Sequence, residues 1–260
     1  MKLESYFKRI EWKGAPKANL ETLNALHRSH ATHVPFENLD IQLARNISLE
    51  SEALERKIIE NNRGGYCFEQ NTLFQAVLRE IGFDVIACEA RVRMGRTTPS
   101  ARTHMMLIVN IDGDQYLADV GFGGEGLFFP LQLNGSVQKQ FLWNYQITKK
   151  EPNLFVLQTH RQEGWLDLYE FVAEQREPVD FEVANWYTST HPQSVFVQTL
   201  TAQLPTPEAR YILRNRMFIT ERGGKEESLE IKTPQELLRL LQEIFHLSFP
   251  PETSFLNPTF

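Results

Sequence analysis

Cysteine is scarce in this chain: Cys67 and Cys88 are the only two among 260 residues. Two thiols cannot make the disulfide framework of a small secreted domain. No apolar stretch approaches the roughly 18 residues that a membrane span needs; the longest compact one is Met105-Met106-Leu107-Ile108-Val109. The opening segment MKLESYFKRIEWKG lacks the apolar core of a secretory signal. Together these absences point to a cytoplasmic protein with available thiols and no membrane partner. A basic excess is missing too. With 27 Lys and Arg against 33 Asp and Glu the net charge is −6, so nucleic acid is not the expected partner. Repeats, low-complexity tracts and Gly/Ser linkers are also absent. What remains is ordinary globular composition, 42% apolar and 23% charged, at a length suited to one large domain or two to three packed subdomains.

The patterning changes along the chain. The first third reads as helical. Asn19 caps a segment with Leu20, Leu23, Leu26 and His27 on one face. Ser51 opens another, which Gly64-Gly65 is expected to stop. A third starts near Tyr66-Cys67, carries Leu73, Phe74, Val77, Leu78 and Ile81, and ends at Gly82. The middle third turns to strands: Val85–Val92, then Met105–Ile111 and Gln115–Val120 as a hairpin about Asp112-Gly113-Asp114, then Phe141–Thr148, Leu154–Thr159 and Trp165–Phe171. Successive short antiparallel strands suggest a barrel or sandwich. In the last third, Thr206 and Pro207 open a short helical turn over Glu208–Leu213. A hairpin turns at Gly223-Gly224, and Thr233-Pro234-Gln235-Glu236 is a capping box that starts a helix. The expected divisions are 1–84, 85–190 and 191–260.

The segment Arg63-Gly64-Gly65-Tyr66-Cys67-Phe68-Glu69-Gln70-Asn71 carries the most chemical information. It places a cysteine between a glycine turn and the first turn of an amphipathic helix. Unpaired N–H groups and the helix dipole favour an anion there, hence a thiolate. The same N–H groups can serve as oxyanion donors. Cys88, mid-strand among Ile86, Ala90 and Val92, reads as packing. A thiol nucleophile needs a base, and the base a partner that fixes its tautomer. Of seven histidines, His104 begins an apolar strand while Asp119 ends its neighbour, so the hairpin sets them roughly opposite or one register apart. His27, His30 and His33 have spacing that tempts a metal reading. Without a cysteine or carboxylate among them they read instead as histidines favoured at a helix C-terminus, and no metal is expected. His160, His191 and His246 read as exposed. Gly121-Phe122-Gly123-Gly124-Glu125-Gly126 matches G-x-G-x-x-G, but Leu-Phe-Phe-Pro follows where a dinucleotide fingerprint demands a helix. As a glycine loop it still lets a ligand approach the backbone; Glu125 is expected to keep phosphates at a distance.

Four segments, VPFENLD at 34–40, RGGYCFEQN at 63–71, RTH at 102–104 and ADVGFG at 118–123, resemble the arylamine N-acetyltransferases in order and spacing, with 37 residues from Cys67 to His104 and 15 more to Asp119. Thr190-His191-Pro192-Gln193-Ser194 fits the bacterial branch. The resemblance implies an α+β fold: an N-terminal helical bundle, a central antiparallel β-barrel and a C-terminal α/β lid, with a cysteine-protease or transglutaminase-like core. It implies a Cys67–His104–Asp119 triad, acetyl-CoA as donor, and an arylamine or hydrazine as acceptor, as in xenobiotic metabolism. Phe36 and Phe122 match acceptor-pocket aromatics, and Arg63 and Glu37 match supporting positions. Gly121, Gly123, Ser100, Thr103 and Ser194 match coenzyme contacts. A cysteine hydrolase, a transglutaminase-like acyltransferase or a dedicated biosynthetic acyl transferase would use the same triad.

Overall fold

The computed structural model describes residues 2–260. Its first segment holds α1 (Leu3–Arg9), α2 (Leu20–His33), β1 (Phe36–Glu37), α3 (Leu39–Gln42), α4 (Ser51–Leu54) and α5 (Cys67–Ile81). Asn19 caps α2 as its sequence suggests, its side chain accepting from the Thr22 amide at 2.9 Å. Gly82 closes α5 in the left-handed region. Buried Leu73, Phe74, Val77 and Leu78 of α5 pack with Leu23, Leu26 and Ile58.

The helix begun at Ser51 departs from its expected course. It widens into a π-helical turn over Glu55–Glu60 and ends at Asn61, before the two glycines. Gly64 has a different task. A β-carbon there would lie 1.9 Å from the Pro35 carbonyl oxygen, so the absent side chain lets the strand leading to Cys67 press against Pro35. Glu37 N donates to Gly65 O at 3.0 Å across the same contact.

Eight antiparallel strands follow: β2 (Asp84–Val92), β3 (His104–Ile111), β4 (Asp114–Ala118), β5 (Leu131–Gln132), β6 (Gln138–Gln140), β7 (Trp143–Glu151), β8 (Leu154–Arg161) and β9 (Gly164–Val172). Their order, β5-β4-β3-β2-β9-β8-β7-β6, curls into a nearly closed barrel. The buried side chain of Gln140 helps to seal the gap: its oxygen accepts from Phe128 N and Phe129 N at 2.8 and 3.0 Å, and its nitrogen donates to Phe129 O at 2.9 Å. Strand β3 explains the longest apolar run. Met105, Leu107 and Val109 face the helices, whereas Met106 and Ile108 face the barrel interior with Cys88, so neither face meets water and alternation disappears.

The last segment comprises α6 (Pro178–Thr190), α7 (Val195–Gln198), β10 (Thr201–Pro205), β11 (Arg210–Arg214), β12 (Met217–Arg222), β13 (Lys225–Glu230) and α8 (Pro234–Phe245). These four strands form a second sheet whose outer member is β1, with Phe36 opposite Gln203. The helical segment therefore contributes a strand to the C-terminal sheet. Leu237, Leu241 and Phe245 of α8 pack on that sheet with Leu204 and Leu213. Thr233 and Pro234 start α8 as the sequence indicates.

The helical turn expected over Glu208–Leu213 is a strand instead. Thr206 does cap, but it caps a turn: its hydroxyl accepts from Ala209 N at 3.1 Å while Thr206 N donates to Ala209 O at 2.7 Å. Residues 210–214 are then claimed on both sides by β10 and β12, and two ladders outweigh a weak local helix signal.

Gly64→Ala should cost roughly 1–3 kcal/mol through overpacking against Pro35, read as a lower midpoint in urea unfolding. A wild-type midpoint would show that the strand can move aside freely.

Candidate active site

The start of α5 brings Cys67 to the junction of helices, barrel and C-terminal sheet. Tyr66 N, at the cap, donates to Glu69 Oε2 at 3.1 Å, and Glu69 in turn is held by Lys57 Nζ at 2.7 Å. Cys67 is 3% exposed, and its Sγ lies 3.8 Å from Thr103 O. Gly121 presses on this turn from the other side. A β-carbon on Gly121 would fall 2.8 Å from Cys67 Cα and 2.7 Å from Asn71 Nδ2.

His104 and Asp119 meet beside it, Nε2 to Oδ2 at 2.7 Å. The register that brings them together differs from the expected one. The β3–β4 ladder pairs Leu107 with Ala118 and Ile111 with Asp114, which continued outward sets His104 two places beyond Asp119. The contact is diagonal, made where the chain has left β4 and is turning into the glycine loop.

Asp119 is 1% exposed, and a buried carboxylate needs donors. Besides His104 it receives Asn71 Nδ2 at 2.9 Å and Gly121 N at 3.0 Å on Oδ1, and the Tyr169 hydroxyl at 2.9 Å on Oδ2. Its own amide donates to His27 Nε2 at 3.1 Å, while His27 Nδ1 faces Phe128 O at 3.0 Å, so the proton of that ring sits on Nδ1. Burial alone would raise the Asp119 pKa, but the His104 charge and these donors hold it below the ordinary carboxylate value. Burial works against a charge on His104 as well. The Asp119 carboxylate overcomes it, the Cys67 sulfur adds in the same direction, and the imidazole is pushed up to about 10. Burial holds the Tyr169 hydroxyl well above its usual value, so it stays a donor.

His27 and His30 do not serve as charges at a helix end. Both are fully buried. Burial pushes His27 down to about 4, and burial with Arg9 takes His30 to about 3. His30 bonds Tyr6 at 2.8 Å and Gln70 at 3.2 Å. They are neutral hydrogen-bonding parts of the core, and among the described residues no set of three His, Cys, Asp or Glu side chains is placed to hold a metal. Nothing in the sequence marked Asn71, Tyr169 or His27 as partners of Asp119. The only local signals were Asn71 lying one helical turn past Cys67 and His27 lying on an apolar face. Cys88 is fully buried in the barrel core, as its reading as packing expects, and burial pushes its thiol up to about 12.

Cys67 and His104 open into a cleft of about 420 Å³ lined by Phe36, Ser100, Thr103, Gly121, Phe122, Phe196 and Gln203, with Arg96, Glu125 and Arg214 as further charged side chains. Both aromatics expected to line an acceptor pocket are there. Phe122 packs on His104 and Tyr169, ring centroids 5.1 and 5.0 Å away. Phe196 is an addition that sequence reasoning missed. Ser100 lines the cleft, but its hydroxyl donates to Val92 O at 2.7 Å. Ser194 stands apart as the cap of α7, accepting from Phe196 N at 3.3 Å and donating to Thr188 O at 2.5 Å. Gly123 lies behind the cleft beneath Gln203, whose side-chain oxygen accepts from Gly124 N at 2.7 Å.

Two ionic clusters frame the site. Arg63 binds Glu37 at 2.7 Å and Asp40 at 3.2 Å, and Lys57 binds Asp40 at 2.8 Å, tying the turn before Cys67 to β1 and α3. On the other side Glu125 is claimed by Arg161 and by Arg210 at 3.1 Å. Arg210 is fully buried, with its guanidinium 4.2 Å over the Trp143 ring. The carboxylate expected to repel phosphates is thus matched by two guanidiniums. A larger groove of about 1150 Å³, with Lys8, Arg9, His33 and Tyr211 among its walls, lies outside this constellation and holds neither thiol.

The family model described as N-acetyltransferase matches residues 19–253. An arylamine N-acetyltransferase of Mycolicibacterium smegmatis is 39% identical over 92% of this chain and 89% of its own length. One from Escherichia coli strain K12 is 36% identical over 94% and 88%. Among solved structures, the arylamine N-acetyltransferase of M. tuberculosis superposes with a TM-score of 0.90 at 38% identity, covering 95% of this chain and 94% of that one. That of Mycobacterium marinum in complex with CoA gives 0.89 at 35%, covering 95% and 93%. Matches of this extent leave no doubt about kinship: the chain belongs to the arylamine N-acetyltransferase family.

Proposed function

We propose that this protein transfers an acetyl group from acetyl-CoA to arylamines and arylhydrazines by a ping-pong route through an acetyl-Cys67 thioester, in a reducing compartment such as the cytoplasm. The observation that carries the reading is the buried 2.7 Å His104–Asp119 pair beside a cysteine at a helix N-terminus. Both free cysteines of the chain are buried, and Cys67 is the one that lines a cleft.

In the first half-reaction the Cys67 thiolate, paired with the His104 imidazolium, attacks the thioester carbonyl. The C–S bond to coenzyme A breaks, and the departing thiolate takes the proton from His104. One thioester replaces another, so the step is close to isoenergetic, where a serine ester would be a deeper trap. The N–H groups of the first turn of α5, which have no partner within the helix, would stabilise the developing oxyanion. Acylation removes the sulfur charge that had helped hold the proton on His104, so the imidazole can now act as base. An aromatic amine is weakly basic and therefore neutral near pH 7. It attacks the acetyl carbonyl, His104 accepts its N–H proton, and the Cys67 thiolate leaves as the amide forms. Asp119 keeps Nε2 of His104 protonated and the ring in place. Phe36, Phe122 and Phe196 would favour flat acceptors by burial and ring contacts.

Acetyl-CoA alone should add one acetyl mass to the intact protein, located at Cys67, and Cys67→Ala should neither take up the label nor turn over. A labelled Cys67→Ala protein would remove Cys67 as the nucleophile. Asp119→Asn should lower the acylation rate by roughly 10³- to 10⁴-fold, since an amide sets the wrong imidazole tautomer; near-normal rates would leave Asp119 a packing partner. The sign of the His104 shift gives a pH test. Its folded pKa near 10 lies above the ordinary value, so the imidazolium and its ion pair persist through neutral pH and are lost only as pH rises through that value. The His104 ring signals in a pH-dependent NMR titration should therefore stay those of the imidazolium through neutral pH, and a midpoint near the ordinary histidine value of about 6.5 would contradict the pair. Iodoacetamide should label Cys67, which lines the cleft, far faster than Cys88, and equal rates would count against Cys67 as the nucleophile.

A further inference from the structure

The coenzyme reading leaves a charge problem at the cleft. Acetyl-CoA brings a diphosphate and a 3′-phosphate, whereas the chain carries a net charge of −6. The two serines expected as coenzyme contacts have spent their protons inside the protein, Ser100 on Val92 O and Ser194 on Thr188 O. A phosphate oxygen accepts hydrogen bonds, so donors must come from elsewhere.

Two guanidiniums on the cleft wall meet that need. Arg96 sits in the connection between β2 and β3, on the barrel side. Arg214 ends β11, on the sheet across the cleft. Both side chains are exposed. Their neighbours in sequence are occupied: Arg91 donates to Ser100 O at 2.5 Å, Arg93 faces Glu170 at 3.8 Å, Arg102 faces Glu89 at 3.6 Å, and Arg210 is taken by Glu125. Arg96 and Arg214 alone of this group have no side-chain partner among the described residues. The one acidic side chain that reaches the cleft lining, Glu125, is neutralised from behind by Arg161 and Arg210. The cleft rim thus carries two uncompensated positive charges on a negative protein.

We propose that Arg96 and Arg214 clasp the phosphates of the acyl donor from opposite walls at the mouth of the cleft; the assignment rests on the acetyl-CoA reading above. A volume of about 420 Å³ suits the acyl group and the thiol-bearing arm and leaves the nucleotide at the rim, where these arginines stand. Planar guanidinium forks match phosphate oxygens two at a time. An uncompensated positive rim also draws a polyanion in, an effect that salt screens.

The experiment compares acylation of Cys67 by acetyl-CoA and by S-acetylpantetheine in wild type, Arg96→Gln, Arg214→Gln and the double variant. S-acetylpantetheine has the same thioester and arm but no phosphate. Each single change should raise the KM for acetyl-CoA roughly five- to tenfold with kcat little altered, and the double change should go further. Added salt should weaken wild type more than the double variant. KM for the phosphate-free donor should stay within about twofold, since no charge–charge contact is lost. An unchanged KM for acetyl-CoA in the double variant overturns the clasp, as does an equal loss with both donors. Wild-type protein acylated by neither donor overturns the reading of the site itself, so the two failures are told apart.

Discussion

A carboxylate with almost no access to water organises this molecule. Asp119 is tolerable in the interior only because donors converge on it, and those donors come from everywhere: His104 from β3, Asn71 from α5, Tyr169 from β9 and the Gly121 amide from the glycine loop. Its backbone is held in addition by His27 of α2. The helices and the barrel must therefore dock in one relative placement before the charge is satisfied. That same placement sets the His104 ring against the first turn of α5. Losing one donor would leave a buried charge short of partners, and the placement of His104 beside Cys67 would be lost with the packing.

Buried charge is used in a second manner around Glu37, Asp40, Lys57, Arg63 and Glu69. There the ions are matched by opposite ions rather than by neutral donors, and the cluster fixes the backbone on either side of Gly64 and Gly65. The approach of Gly64 to Pro35 and the pairing of β1 with β10 extend this anchorage into the C-terminal sheet. Cys67 is consequently positioned by three parts of the chain that lie far apart in sequence.

Much of this was legible beforehand where the signal was local. A glycine pair, a cysteine and an amphipathic helix are contiguous, so Cys67 stood out; Asn19 and Gly82 carry their own capping chemistry. His104 and Asp119 were found because each ends a strand of one hairpin, although the bulk register could not reveal that Asp119 lies beyond β4 and reaches back diagonally. Long-range facts were illegible. Asn71 looks like any polar helix residue, Tyr169 like a barrel aromatic, and His27 like one of three helix-end histidines; only the fold shows that it is buried and neutral. Residues 206–213 misled for a related reason, since Thr-Pro is a helix-start signal in isolation and the ladders that override it come from strands on both sides.

Arg210 bears on how molecules come and go. It reaches from the C-terminal sheet into the barrel, stacked on Trp143 and bonded to Tyr145 and Glu125. Swinging that sheet outward would tear the guanidinium from Tyr145, Glu125 and the Trp143 ring and leave Arg161 as the cation still holding the carboxylate, a cost on the order of a few kcal/mol. The third segment is therefore latched to the barrel as a standing wall of the cleft rather than a hinged door, so whatever enters must fit the opening that those walls already leave.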